Sequence, residues 1–286
     1  MLQFSTRQKQ AIENGGAKRL HLKQKAFEAA TGDLNAAYPH TYIYSIPGLG
    51  KTYEVTKILR DQKVDHYVIS GNISMFAFGV NLAVLAYKNR SKKRFVVVVD
   101  DCDEIFKNAE NINIMKNILG GLKEFAYSKS MQAFYPNLSD IQKEAIDCYA
   151  DEATIGFKVP TKNMIFVFTS NIKLPNAAEL KKVQSLNTPK AKNIRHLHAI
   201  KDRCKPADFD LTPDEHWGWI AHGVLNDNVI KVSKEKKFII LEWMHTNWDK
   251  LSESSMRTVQ KMADTMKQFP DFYKDQWIMD FLINSK

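Results

Sequence analysis

Three short stretches of this chain carry residue types suited to a polyphosphate. The first is Ser45-Ile46-Pro47-Gly48-Leu49-Gly50-Lys51-Thr52. Glycines let backbone N–H groups turn inward around phosphate oxygens, and a helix starting at such a loop adds its positive end. Lys51 can reach the β and γ phosphates, and the Thr52 hydroxyl can bind Mg²⁺. The second stretch is Asp100-Asp101, closing the run Phe95-Val96-Val97-Val98-Val99. Asp100 is expected to hold Mg²⁺ through water and Asp101 to polarise the attacking water, with Glu104 next in line for that role. The third is Ser170-Asn171, the polar end of the apolar run Met164 to Thr169, within reach of a γ-phosphate or a lytic water.

The surrounding pattern supplies the elements such groups need. Tyr42, Ile43 and Tyr44 predict a strand before the glycine loop, and Val55, Ile58 and Leu59 share one face of a helix after it. His66 to Ser70 reads as a short strand, Ile73 to Asn89 as a helix and Phe95 to Val99 as a strand buried on both faces of a parallel sheet. A carboxylate at the C-terminal end of such a strand stands where α/β sheets gather ligand groups. Residues before about 40 read as one or two helices, with Ser5 a possible cap for Thr6 to Asn14 and a basic helical pattern from Leu20 to Ala30 before the Thr31-Gly32-Asp33 break. Asn111 to Lys129 reads as one amphipathic helix interrupted by Gly120-Gly121. Residues 130 to 160 carry little pattern, 172 to 195 read as a Lys-rich loop, and Phe209 and Leu211 suggest a final edge strand. Thr212-Pro213-Asp214-Glu215 is a capping box with proline at the first helical position. Helices are expected from there on: Pro213 to Leu225, Glu235 to Thr246, Ser255 to Gln268 and Tyr273 to Ile283. Trp217, Trp219, Trp243, Trp248 and Trp277 all fall in this last part, where core packing is the expected role rather than base stacking. The domain division is thus 1–40, an N-terminal helical extension; 41–212, an α/β nucleotide-binding domain; and 213–286, a small helical domain.

The bulk properties agree with a folded enzyme. With 286 residues, 44% of them hydrophobic, the chain can bury a sizeable core. Cys102, Cys148 and Cys204 are odd in number and widely spaced, which excludes a disulfide framework or zinc pattern and fits a reducing compartment. No segment has the apolar length of a signal peptide or a membrane span, so a cytoplasmic protein without membrane partners is expected. The formal charge of +9 suggests an acidic partner, with nucleic acid the usual candidate, although the lysines look scattered along the chain.

Taken in order, these segments resemble the AAA+ ATPases, over residues from about 40 to the end. SIPGLGKT is similar to Walker A, with Ser45 in place of the first glycine, and VVVVDD to Walker B, with Asp101 in place of the usual glutamate. Phe168-Thr169-Ser170-Asn171 resembles sensor 1, Asp202-Arg203-Cys204 the segment carrying the arginine finger, and Ser254-Ser255-Met256-Arg257 sensor 2. The resemblance implies an αβα phosphate-loop core followed by a helical lid. It implies ATP and Mg²⁺ as ligands, held by Pro47, Gly48, Leu49, Gly50, Lys51 and Thr52, with Thr52 and Asp100 at the metal. Asp101, Asn171, Arg203 and Arg257 take the catalytic roles, Arg195 competing with Arg203 for the finger. It also implies a homo-oligomeric ring, expected to be a hexamer, with ATP between neighbours. The compact length and divergent motifs suit a phage origin, with the host cytoplasm as location.

Two classes of function follow from the resemblance. One is a motor that remodels or threads protein: Phe76-Ala77-Phe78-Gly79, 25 positions past Lys51, matches the aromatic–hydrophobic–glycine pore loop of unfoldases. The other is a DNA-associated ATPase, a clamp or helicase loader or a translocase, favoured by the net charge and by Arg203-Cys204. A scaffold that keeps ATP as structural glue is a third reading, motivated by the shortened acid at Asp101.

Overall fold

The structure is a computed structural model that describes residues 3–151, 156–227, 229–251, 253–269 and 271. Its centre is a five-stranded sheet ordered β2-β3-β6-β1-β7. The strands are β1 (His40–Ser45), β2 (His66–Ser70), β3 (Phe95–Asp100), β6 (Met164–Ser170) and β7 (Cys204–Phe209), and the pairings β1–β6, β3–β6 and β2–β3 are parallel. A second sheet pairs β4 (Glu124–Tyr127) with β5 (Phe157–Pro160), antiparallel. The protein is therefore α/β with a mostly parallel sheet, as the run of valines predicted. Phe95 to Val98 are fully buried, because a parallel strand with connections over both faces has no solvent side.

Ten α-helices are described: α1 (Thr6–Thr31), α2 (Lys51–Asp61), α3 (Met75–Lys88), α4 (Ala109–Leu119), α5 (Asp140–Cys148), α6 (Ala177–Val183), α7 (Pro189–Lys201), α8 (Pro213–Asn226), α9 (Lys234–Thr246) and α10 (Met256–Gln268). Where expectation and structure differ, the causes are local. The N-terminal stretch, read as one or two helices, is one, and Gly15 within it is a packing site: a Cβ there would come within 2.1 Å of the Trp219 backbone nitrogen. Gly120 ends α4, and Phe125 belongs to β4 instead of continuing the helix. The stretch 130 to 160 contains α5, started by a capping box at Ser139 and Gln142, and β5. The expected Lys-rich loop is two helices with side-chain N-caps at Asn176 and Thr188. The predicted helix Tyr273 to Ile283, with Trp277, lies outside the described residues.

The chain forms two compact units. The larger comprises residues 25–44 and 52–208; the smaller comprises 1–24, 45–51 and 209 onward, so the glycine loop falls with the C-terminal helices. The smaller unit has its own core, in which Trp217, Trp219, Ile220, Met244 and Met262 are buried. Trp248 is half-buried there, and Trp217 Nε1 donates to Leu241 O at 3.2 Å, so the described tryptophans serve packing. The larger unit's core absorbs the presumed pore-loop residues. Phe78 is fully buried against Phe125, and Phe76 sits among Tyr127, Phe134 and Phe157. A Cβ on Gly79 would strike the Phe125 ring at 2.3 Å, so Phe76 to Gly79 form the packed first turn of α3, capped by Ser74, and not an exposed gripping loop. No described helix is long and apolar enough to cross a membrane.

Candidate phosphate and metal site

The smaller unit holds the glycine loop. Gly48 and Gly50 have φ of +83° and +76°, the left-handed conformation that glycine adopts without cost. A Cβ on Gly50 would meet nothing within 4 Å, so the turn opens onto free space. Gly48 is held from the other side: its Cβ would come to 2.5 Å from Ser255 Cβ, and its carbonyl accepts from Met256 N at 3.2 Å. Leu49 is fully buried, and its carbonyl accepts from Trp219 Nε1 at 3.1 Å, while Pro47 is exposed. The loop's shape is therefore fixed by the start of α10 and by an indole on α8. Lys51, 7% exposed, donates its ammonium to Ser45 O at 2.9 Å. Ser45 is buried at the end of β1 with its hydroxyl turned to Ile46 O, and it needs no positive φ. That explains why this chain does without glycine there.

The larger unit holds a second cluster, at the carboxyl ends of β3 and β6. The register pairs Asp100 with Thr169, so both side chains meet beyond the sheet. Thr169 Oγ1 donates to Asp100 Oδ1 at 2.6 Å, and the Thr52 hydroxyl donates to the same oxygen. The cluster reaches the loop through the chain itself, because Thr52 follows Lys51 in the first turn of α2. Asp101 is exposed, at φ +51°, a conformation that Asp tolerates better than longer side chains do. Its Oδ1 accepts from Asn171 Nδ2 at 3.1 Å. Glu104 is engaged with Lys107, and Ser170 Oγ donates to Asp103 Oδ1 at 2.6 Å. Among the described residues no group of three or more histidines, cysteines or carboxylates is placed to cage a metal by itself. One hydroxyl and one carboxylate, with phosphate and water completing the sphere, fit Mg²⁺, which keeps most of its waters. Burial pushes the Cys102 thiol up to about 12, so the cysteine beside the acidic pair is no nucleophile.

The remaining expected residues are dispersed. Arg257 is exposed two residues past the Ser255 N-cap of α10, and its backbone nitrogen donates to Ser255 Oγ at 3.2 Å. Arg195 donates Nη1 to Val183 O at 2.9 Å and Leu186 O at 2.8 Å, which closes the end of α6. Arg203 is half-buried after α7, with Nη1 on Ala199 O at 2.7 Å. Thr169 lay inside the sensor-like segment but was given no role by the sequence; a hydroxyl at a buried strand's end was the available signal. Trp219 and Ser255 as braces of the loop carry no local signal, being some 170 and 200 positions away in sequence.

No protein-family model matches the chain. Over 243 residues it is 24% identical to an uncharacterised 36.7 kDa protein from the nrdC–mobD intergenic region of Enterobacteria phage T4. The alignment covers 82% of this chain and 65% of the phage protein, so the chain spans about two thirds of that relative's length.

Proposed function

We propose that the protein is a magnesium-dependent ATPase of the AAA+ kind, working as a ring-shaped motor on a macromolecule. The observation that carries this reading is the convergence of Thr52 and Thr169 on Asp100 Oδ1, directly after a glycine loop whose lysine is already drawn in against Ser45 O. A structural turn between strand and helix needs neither the carboxylate nor the two hydroxyls.

In this reading the Gly48–Gly50 turn offers backbone N–H groups to the phosphates, and Lys51 exchanges loop carbonyls for β and γ oxygens. Thr52, with Asp100 acting through water, would hold Mg²⁺. The metal would neutralise charge on the phosphate oxygens. Asn171 holds the Asp101 carboxylate, which takes a proton from water as its oxygen bonds the γ-phosphorus and the bond to the β–γ bridging oxygen breaks. Products are ADP and phosphate, and the proton passes to solvent. In a ring, expected to be a hexamer of this chain in a host cytoplasm, Arg203 would reach the neighbour's γ-phosphate, and Arg257 on α10 that of its own subunit. The phage relative suits this setting.

Lys51→Ala should cost a charge-assisted contact of about 1.5–3 kcal/mol in nucleotide affinity, read by calorimetry. Unchanged affinity would overturn the assignment. Mixing Lys51→Ala with Arg203→Ala subunits should restore part of the turnover; an Arg203→Ala protein at full activity as a monomer would end the ring reading. Protein threading was motivated by Phe76 and Phe78; Phe78 is fully buried and Phe76 is half-buried against Tyr127, Phe134 and Phe157, so these two side chains lend it little support. The nucleic-acid alternative gains support from the concentration of lysine and arginine in residues 177–205.

A further inference from the structure

The scattered-lysine picture changes once residues 172 to 205 are seen to fold. Residues 177–205 contain Lys181, Lys182, Lys190, Lys192, Arg195, Lys201, Arg203 and Lys205 against Glu179 and Asp202, a net +6 from eight cations and two anions. The whole chain carries +9, so two thirds of the formal charge belongs to one tenth of the residues. Structurally they make one feature: α6, α7 and the first residues of β7.

A second observation is independent of the count. α7 packs on α4, and there Lys116 Nζ contacts His196 Nδ1, while a Cβ on Gly120 would sit 3.4 Å from Arg203 Nε. Three basic groups are thus gathered at one helix pair. Among the described residues of the larger unit the ion pairs go elsewhere: Lys129 to Glu110, Lys158 to Asp151, and the carboxylate of Asp202 to His198. Burial and the Arg203 charge lower the Lys116 pKa; burial, Lys116 and Arg195 lower that of His196. Lys116 and Arg203, both cations, repel each other here, a cost that an anion laid across them reduces.

The shape of the patch indicates which anion. Lys181, Lys182, Lys190 and Lys192 are exposed, and α7 is 13 residues long, about 20 Å, which spans about six phosphates of one duplex strand. Apart from Leu186 the face has no large exposed hydrophobic side chain, and lysine-rich, apolar-poor surfaces are depleted in protein–protein contacts.

We propose that the α6–α7 face, together with Lys116 on α4, binds the phosphodiester backbone of a nucleic acid, which makes the macromolecule acted on by the proposed ATPase a polynucleotide. The contact is to phosphates and is sequence-independent. This rests on the ATPase reading only for its consequence, since the binding itself can be measured without nucleotide.

The test compares the full chain with a variant carrying Lys181→Gln, Lys182→Gln, Lys190→Gln and Lys192→Gln. All four side chains are exposed and distant in sequence from the phosphate loop, so the variant should fold and bind ATP as before. Fluorescence anisotropy with a labelled single strand and with its duplex should show affinity that falls steeply with salt. The variant should bind at least about tenfold more weakly, with a log–log salt slope shallower by about 3. A wild-type protein that binds neither form, or a variant that matches the wild type in affinity and slope, overturns the proposal. ATP binding measured in parallel keeps the two readings apart: DNA binding without ATP binding refutes the ATPase and leaves the nucleic-acid face standing, and the reverse refutes the face alone.

Discussion

Replacing Thr169 by valine tests whether the Asp100 cluster is a metal-holding device or ordinary strand-end packing. Valine has the same shape, and Thr169 is 1% exposed, so no cavity opens and no new surface appears. What disappears is a hydroxyl donating at 2.6 Å to a carboxylate oxygen that also receives the Thr52 hydroxyl. Hydrogen bonds to charged groups contribute about 1.5–3 kcal/mol. Asp100 is only half-buried and keeps the Thr52 contact, so the low end, about 1.5 kcal/mol, is the expected loss. In a chain of this size that lowers Tm by roughly 3–6 °C. A freed carboxylate rotates away from the position in which it is pre-aimed, so the Mg²⁺ concentration needed for half-maximal ATP binding should rise by up to about tenfold. Thermal melts and a Mg²⁺ titration of labelled-ATP binding read the two effects. Thr169→Ser restores the oxygen and should restore both. A valine variant with wild-type Tm and Mg²⁺ dependence would refute the argument, as would a serine variant that behaves like valine.

Gly218→Ala should destabilise by about 2 kcal/mol or more in urea, because its Cβ would lie 1.8 Å from Ala11 O where α8 crosses α1; Gly121→Ala, with nothing within 4 Å, should be neutral or slightly stabilising. Asp101→Gly should leave stability unchanged or raise it by up to about 1 kcal/mol, since φ is +51°, while turnover falls by at least about 10²-fold; a stable variant with full turnover would acquit Asp101 as the base. Burial holds His40 and His216 at about 4, well below the usual histidine value, so both are neutral in the fold while the unfolded chain takes up their protons near pH 6.5. Stability from these two is complete above pH 6.5 and declines as pH falls from there to 4, so the urea midpoint should drop across that window. His40→Gln should flatten the drop, because His40 Nδ1 accepts from Phe166 N at 3.1 Å and loses that role on protonation.

What was legible in the sequence was whatever depends on neighbours along the chain. The loop from Ser45 to Thr52, the buried run Phe95 to Val99 and the capped start at Thr212 each carry their signal within about eight residues, and each forms as read. Whether the N-terminal stretch is one helix or two stayed open in the sequence, because a glycine pair such as Gly15-Gly16 looks the same whether it breaks a helix or lets another helix approach; only Trp219 and Gly218, two hundred residues on, decide which. Phe76 and Phe78 misled for the same reason, since burial against Phe125 and Phe157 is a tertiary fact. The lysines after Pro175 hid two helices because polar composition masks weak amphipathicity, and with them went the concentration of charge on one helix pair.

The assignment of the loop 45–51 to the same unit as residues beyond 209 has a consequence for how the protein is made. Leu49 O waits for the indole of Trp219, and Gly48 for Ser255 and Met256, about 170 to 200 residues further along the chain. At about 5–20 residues per second a ribosome needs roughly 10–40 s to supply them. During that interval the glycine loop exists without the contacts that fix its shape, so a nascent or truncated chain lacking α8 and the start of α10 is left without the braces of that loop. Under the proposed function, competence to hold a nucleotide would then arrive late and all at once, as a report that synthesis has passed residue 256.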